Sequence, residues 1–142
     1  MLNKKTLISG LVIAVMSLSS VGSAFADEVI ISNGKDSGHG VAVITGSTNE
    51  NDIIPYADNK YIYNSNNVRV GFWIYGKKDG NVISEYKPYV GEGRASVTNG
   101  HGDHRDGGWV KPTDNPNWSK AERPWTFWGQ NRADYDYCCT DN

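Results

Sequence analysis

Leucine is absent from this chain after Leu18. Val, Ile, Tyr and Trp carry the apolar load instead, and these residue types favour strands over helices. Cysteine is nearly absent too: the chain has Cys138 and Cys139, adjacent, and no second cysteine elsewhere to staple a fold. Neighbouring cysteines bridge only through a strained ring, given ordinary disulfide geometry. Four states stay open for the pair: a bond to each other, bonds between chains, free thiols in a frayed tail, or one cysteine bridged between chains and one free. Long apolar runs are missing beyond the N-terminal residues. Phe72–Tyr75 is the longest dense apolar cluster there, far short of the roughly 20 residues that span a bilayer. An excess of positive charge is lacking as well, with 14 Lys and Arg against 16 Asp and Glu.

The first residues read as a targeting segment. Lys4 and Lys5 form a short positive region, Leu7–Leu18 is an apolar stretch, and Ala24-Phe25-Ala26 is a small-x-small cleavage site. Cleavage after Ala26 predicts a secreted, extracellular product of 116 residues, 27–142 of the 142. Loss of Lys4 and Lys5 leaves 12 basic residues against 16 acidic, a net charge of about −4. That sign excludes a nucleic-acid binder and disfavours a cationic peptide drawn to lipid by charge alone. The expectation is a released or surface-associated protein with no stable membrane insertion.

Short alternating runs punctuated by turn signals fill the rest of the chain. Glu28–Ser32 and Gly40–Thr45 read as strands around Asn33-Gly34, with a loop rich in Gly, Asp and Ser. Gly46–Asp52 reads as polar loop, Tyr61–Tyr63 as a short strand and Asn64–Asn67 as a turn. Val68–Tyr75 is a stronger strand, with Val68, Val70, Phe72 and Ile74 on one face and Trp73 and Tyr75 on the other. Asp79-Gly80 predicts a hairpin into Val82–Tyr86. Ala95–Thr98, Gly108–Val110, Trp118–Glu122, Trp125–Trp128 and Ala133–Cys138 complete the set, with Ala133, Tyr135 and Tyr137 on one side of the last. This spacing predicts an all-β fold, a small antiparallel β-sandwich of two short sheets or a small barrel.

All five tryptophans lie between Trp73 and Trp128. Trp109, Trp118, Trp125 and Trp128 are too many to be deeply buried in so small and polar a domain. Exposed Trp stacks on sugars, sits at membrane interfaces or anchors protein contacts. Lys111, Lys120, Arg123 and Arg132 lie among them and are suited to phosphates. The expected target-binding residues are therefore Trp109, Trp118, Trp125, Trp128, Lys120 and Arg123.

Other polar clusters carry less. His101, Asp103, His104 and Asp106 read as an exposed hairpin loop in preference to a metal site. His39 beside Asp36 and Ser37 is the nearest approach to a catalytic set, and no nucleophile elbow, metal motif or phosphate loop is present. The expectation is a protein that is not an enzyme and uses no metal or cofactor.

Several segments together resemble the lactococcin 972 family of secreted bacteriocins. They are Gly71-Phe-Trp-Ile-Tyr-Gly76, Ser84 with Tyr86, Ala95-Ser-Val97, Arg105–Val110, Trp118-Ser-Lys-Ala121 and Asn131–Tyr137, in order between Gly71 and Cys139. The chain departs from short family members by the stretch 27–70, and its loop Lys87–Arg94 lacks the histidine or cysteine that some members have. The organisation expected is thus a signal peptide over 1–26, an extension over 27–70 (extra strands or a pro-segment) and a β-sandwich domain over 71–142. The resemblance implies a two-sheet sandwich and an antibacterial protein acting on related Gram-positive cells. It implies interference with septal wall synthesis through a lipid-linked cell-wall precursor, with export and immunity membrane proteins encoded nearby. A non-toxic extracellular carbohydrate- or surface-binding module is the alternative.

Overall fold

The computed structural model describes residues 25–32, 35–44 and 57–141. Its strands are β1 (Phe25–Ser32), β2 (Lys35–Ile44), β3 (Asp58–Tyr63), β4 (Arg69–Lys78), β5 (Asn81–Pro88), β6 (Glu92–Thr98), β7 (His104–Asp106), β8 (Ser119–Pro124) and β9 (Asn131–Asp141). They form two antiparallel sheets, one ordered β1-β2-β9-β6-β7 and the other β3-β4-β5-β8. The fold is a small β-sandwich, without a helix among the described residues.

Local chemistry explains most of the turns. Lys78 pairs with Asn81 across Asp79-Gly80, whose φ angles of 50° and 78° suit the primed turn that joins twisted strands. Asn64 closes the β3–β4 turn by accepting the Asn66 and Val68 N–H groups on Oδ1, at 3.1 and 2.9 Å. Asn99 does the same between β6 and β7, its Oδ1 accepting from His101 and Asp103 at 3.1 and 3.0 Å.

The core is aromatic, and small residues make room for it. Of the two faces expected around Val68–Tyr75, the one carrying Trp73 and Tyr75 is buried, with ring centroids 4.0 Å apart; Val70, expected on the other face with Phe72, is buried in the core as well. Trp73 meets Tyr135 of the opposite sheet at 4.7 Å, and Tyr135 stacks on Tyr86 at 5.5 Å. Ala42, Ala95, Ala121 and Ala133 fill the same layer. Tyr86 occupies a slot between Gly71 on β4 and Gly93 on β6; a Cβ at either glycine would strike its ring. Gly38 leaves the same space for Tyr137. Two buried hydroxyls lock the layers together. Trp73 Nε1 donates to Ser84 Oγ at 2.8 Å, and Ser84 Oγ donates to the Asp134 carbonyl at 2.7 Å. Ser119 Oγ accepts from Ala95 N at 2.9 Å and donates to the Gly108 carbonyl at 2.7 Å.

Residues 27–70 contribute to both sheets: β2 pairs with β9, and β3 pairs with β4. The 70/71 boundary drawn from the sequence falls inside β4. Near the chain's end, Cys138 and Cys139 are bonded to each other. They stand opposite Ser37 where the β2–β9 register slips, two residues against one, and Cys139 has φ of 67°.

Several sequence expectations need correction. Trp125–Trp128 is not a strand: after Pro124 the chain bends away, held by Asn131 Nδ2 donating to the Thr126 carbonyl at 2.7 Å. His104–Asp106, expected as loop, is a short strand on β6. Gly108–Val110 makes only an isolated bridge from Val110 to Gly93. The Gly, Asp and Ser expected as loop between the first two strands belong to β2, since Ser32 already pairs with Lys35. The Asn33-Gly34 turn, the Gly46–Asp52 loop and the targeting segment up to Ala24 lie outside the described residues; Ala26 lies in β1.

Candidate binding surface on the four-stranded sheet

Side chains alternate across a strand, so the face of β4 opposite Trp73 looks away from the core. There the register sets Tyr61 of β3 beside Phe72 of β4, and Phe72 beside Lys87 of β5. Tyr86 pairs with Ser119, which brings Trp118, just before β8, next to Lys87. The Tyr61 and Phe72 rings lie 5.0 Å apart, and Phe72 meets Trp118 edge-on at 6.4 Å. Cations sit over this row. Arg69 is 4.2 Å from the Tyr61 ring, while Lys87 and Lys120 are each 5.6 Å from the Trp118 ring. Lys120 also pairs with Glu85 at 3.0 Å. Exposed Tyr63, Val68, Tyr89 and Val90 lie at the same end, where Tyr63 opposes Arg69 and the Tyr89 N–H bonds the Val70 carbonyl at 2.8 Å.

Chemically this is an aromatic row bearing positive charge, its neighbouring rings tilted by 50° and 83° to one another. Ring faces stack on the apolar faces of sugars, and ammonium and guanidinium groups pair with phosphate. The cations are attracted to the ring faces, and Lys120 is in addition paired with Glu85.

The target-binding residues expected from the sequence do not form one face. Trp118 and Lys120 lie on this row. Trp109 lies over Arg94 at 5.1 Å, beside the five-stranded sheet. Trp125 is half-buried against the core, with Lys77 4.8 Å from its ring. Trp128 projects from the β8–β9 connection. Arg123 is spent on structure, donating from Nη2 and Nε to the His104 carbonyl at 3.1 and 3.3 Å. Tyr61, Arg69, Phe72 and Lys87 were missed. Their signal is the shared cross-strand row, which appears only once strand pairing is known.

The polar clusters are structural in their contacts. Asp103 accepts from Asn99 Nδ2 at 3.1 Å, His104 Nδ1 bonds Thr98 Oγ1 at 3.1 Å, and Asp106 accepts from Arg94 at 2.9 Å. No group of three or more His, Cys, Asp or Glu among the described residues is arranged to hold a metal. Asp36 and His39 lie on opposite faces of β2. Buried Asp36 accepts from Ser65 N and Oγ at 2.7 and 2.6 Å. His39 instead reaches Asp136 across to β9 at 2.7 Å, and Asp136 also accepts from Arg94 at 2.7 Å. The Asp136 hydrogen bond holds the His39 pKa above its ordinary 6.5. Burial pushes Asp136 up, but hydrogen bonds from His39 and Arg94 outweigh it, and the carboxyl titrates below 3.8. Burial drives the Tyr86 phenol far above 10.0, so it is a neutral core group.

Against known protein families, curated proteins and solved structures, the chain has no match.

Proposed function

We propose that this chain is a secreted antibacterial protein, not an enzyme, that binds a lipid-linked cell-wall precursor of related Gram-positive bacteria and blocks septal wall synthesis. The observation that carries this reading is the row of Tyr61, Phe72 and Trp118 with Arg69, Lys87 and Lys120 over its rings. A wall precursor joins sugars to an anionic phosphate linkage, and the row offers ring faces for the one and cations for the other. The N-terminal targeting pattern and the family resemblance between Gly71 and Cys139 point the same way.

A non-toxic glycan-binding module would use the same rings. The cations distinguish the two, because a neutral glycan gains little from three of them. The test is growth inhibition on lawns of related Gram-positive strains, run beside binding to the precursor and to neutral wall glycan. Inhibition and precursor binding that both fall in Tyr61→Ala and Trp118→Ala support the antibacterial reading. Glycan binding by a folded protein that inhibits no strain replaces it with the module.

A further inference from the structure

We propose that Phe127 and Trp128 form a rigid tip that docks the protein onto a bilayer carrying anionic headgroups. This does not rest on the wall-precursor reading. Among the described residues, Phe127 and Trp128 are 83% and 82% exposed, against 47% or less for every other exposed large apolar side chain. Such exposure on a floppy loop would mean little, but this connection is pinned. Asn131, 2% exposed, accepts on Oδ1 from Gly100 N and Thr126 N, both at 3.2 Å. Thr126 Oγ1 accepts from Gly100 N at 2.9 Å and lies 2.9 Å from the Trp128 carbonyl. Gly129, with φ of 78°, packs backbone to backbone on Gly100 and turns the chain back into β9. Trp125 anchors the base of the tip against the core. The fold therefore holds two large apolar rings out in water.

Charge and size point to the occupant. Lys77 lies 4.8 Å from the Trp125 ring and 5.8 Å from the Phe127 ring, and exposed Lys78 follows it on β4. Neither lysine has an ion pair among the described residues, and Asp79 is the single carboxylate in that hairpin turn. Two such rings offer roughly 300–500 Å² of surface, at about 150–250 Å² per aromatic side chain. A specific protein interface needs about 800 Å² from each partner. Aromatic rings beside lysines suit the headgroup boundary of a membrane, where the ring enters the apolar edge and the ammonium stays among phosphates. Trp118 and Trp125 stand at opposite ends of β8, roughly 23 Å apart at about 3.3 Å per residue. The tip and the aromatic row therefore lie at opposite ends of β8.

The experiment uses the secreted full chain and vesicles free of any wall precursor, one set of phosphatidylcholine and one containing phosphatidylglycerol. Wild type is expected to sediment with the anionic vesicles, and lipids brominated on their acyl chains are expected to quench its fluorescence. Phe127→Ser with Trp128→Ser should weaken partitioning at least tenfold with the circular dichroism unchanged. Lys77→Gln with Lys78→Gln should bring anionic partitioning down to the neutral level, and Trp118→Ala should leave it unaltered. Wild type that stays in the supernatant with both vesicle sets overturns the proposal, as does a tip variant that sediments like wild type. Tip-dependent cross-linking to a surface protein without vesicle binding also overturns it and gives the tip to a protein partner.

Discussion

The two faces of β4 carry similar residues in opposite circumstances. Inside, Trp73 and Tyr75 meet other rings, and Trp73's indole N–H is satisfied by Ser84. Outside, Phe72 shares its face with Tyr61, Trp118 and three cations. One strand thus serves both the core and the surface, and the partners across the sheet decide which role each ring takes. Glycine and alanine around a ring let it pack into the core; a lysine nearby does not by itself bring it to the surface, since Lys60 lies 5.4 Å from the buried Trp73 ring.

The contrast can be broken most severely at the edges. A chain beginning at Gly71 loses β1, β2 and β3, uncovers one side of β9 and of β4, and removes Ala42, Ile62 and Val70 from the core. It is expected to show no cooperative unfolding transition; a sharp transition in that fragment would mean the later strands suffice. Inside, Trp73→Ala should cost about 3–5 kcal/mol, the usual range for a large buried aromatic, measured by denaturant unfolding. Ser84→Ala strips a partner from the Trp73 indole and from the Asp134 carbonyl, and should cost about 1–3 kcal/mol. Outside, Trp118→Ala and Tyr61→Ala should change stability by less than about 1 kcal/mol, as surface substitutions usually do, while precursor binding falls at least tenfold.

The smallest effect is titration of the outer face of the five-stranded sheet. His39 has a raised pKa, so its contribution is full below pH 6.5 and fades as pH climbs through the raised value. Asp136 has a lowered pKa, so its contribution is present above 3.8 and fades as pH falls through the lowered value. The melting temperature should therefore be highest between those limits. His39→Gln should flatten the decline on the alkaline side; an unchanged profile would show that the His39–Asp136 bond contributes nothing.

Much of the architecture was legible in the sequence because its signals are local. Asp79-Gly80 between two alternating runs gives its hairpin directly, and alternation in Ala133–Tyr137 gives the inward side of β9. The aromatic row was illegible for a physical reason. Tyr61, Phe72, Lys87 and Trp118 are scattered along the chain, and only pairing across four strands aligns them. Counting tryptophans gathered Trp109, Trp125 and Trp128 with Trp118, although the sheets send them to different places. The Trp125–Trp128 stretch misled for another reason. Its residues favour strands, but Thr126, Asn131 and Gly129 supply a competing set of hydrogen bonds and a turn. A bond between Cys138 and Cys139 was one of the states the sequence left open; the register shift opposite Ser37 emerges only once β2 and β9 are paired.

The most direct measurement is equilibrium binding of the folded chain to purified lipid-linked wall precursor, with wild type and Trp118→Ala side by side. Saturable binding that weakens at least tenfold in the variant, about 1.4 kcal/mol, is the expected result. Equal affinity in the two proteins, or no binding by folded wild type, would contradict the role assigned to the aromatic row.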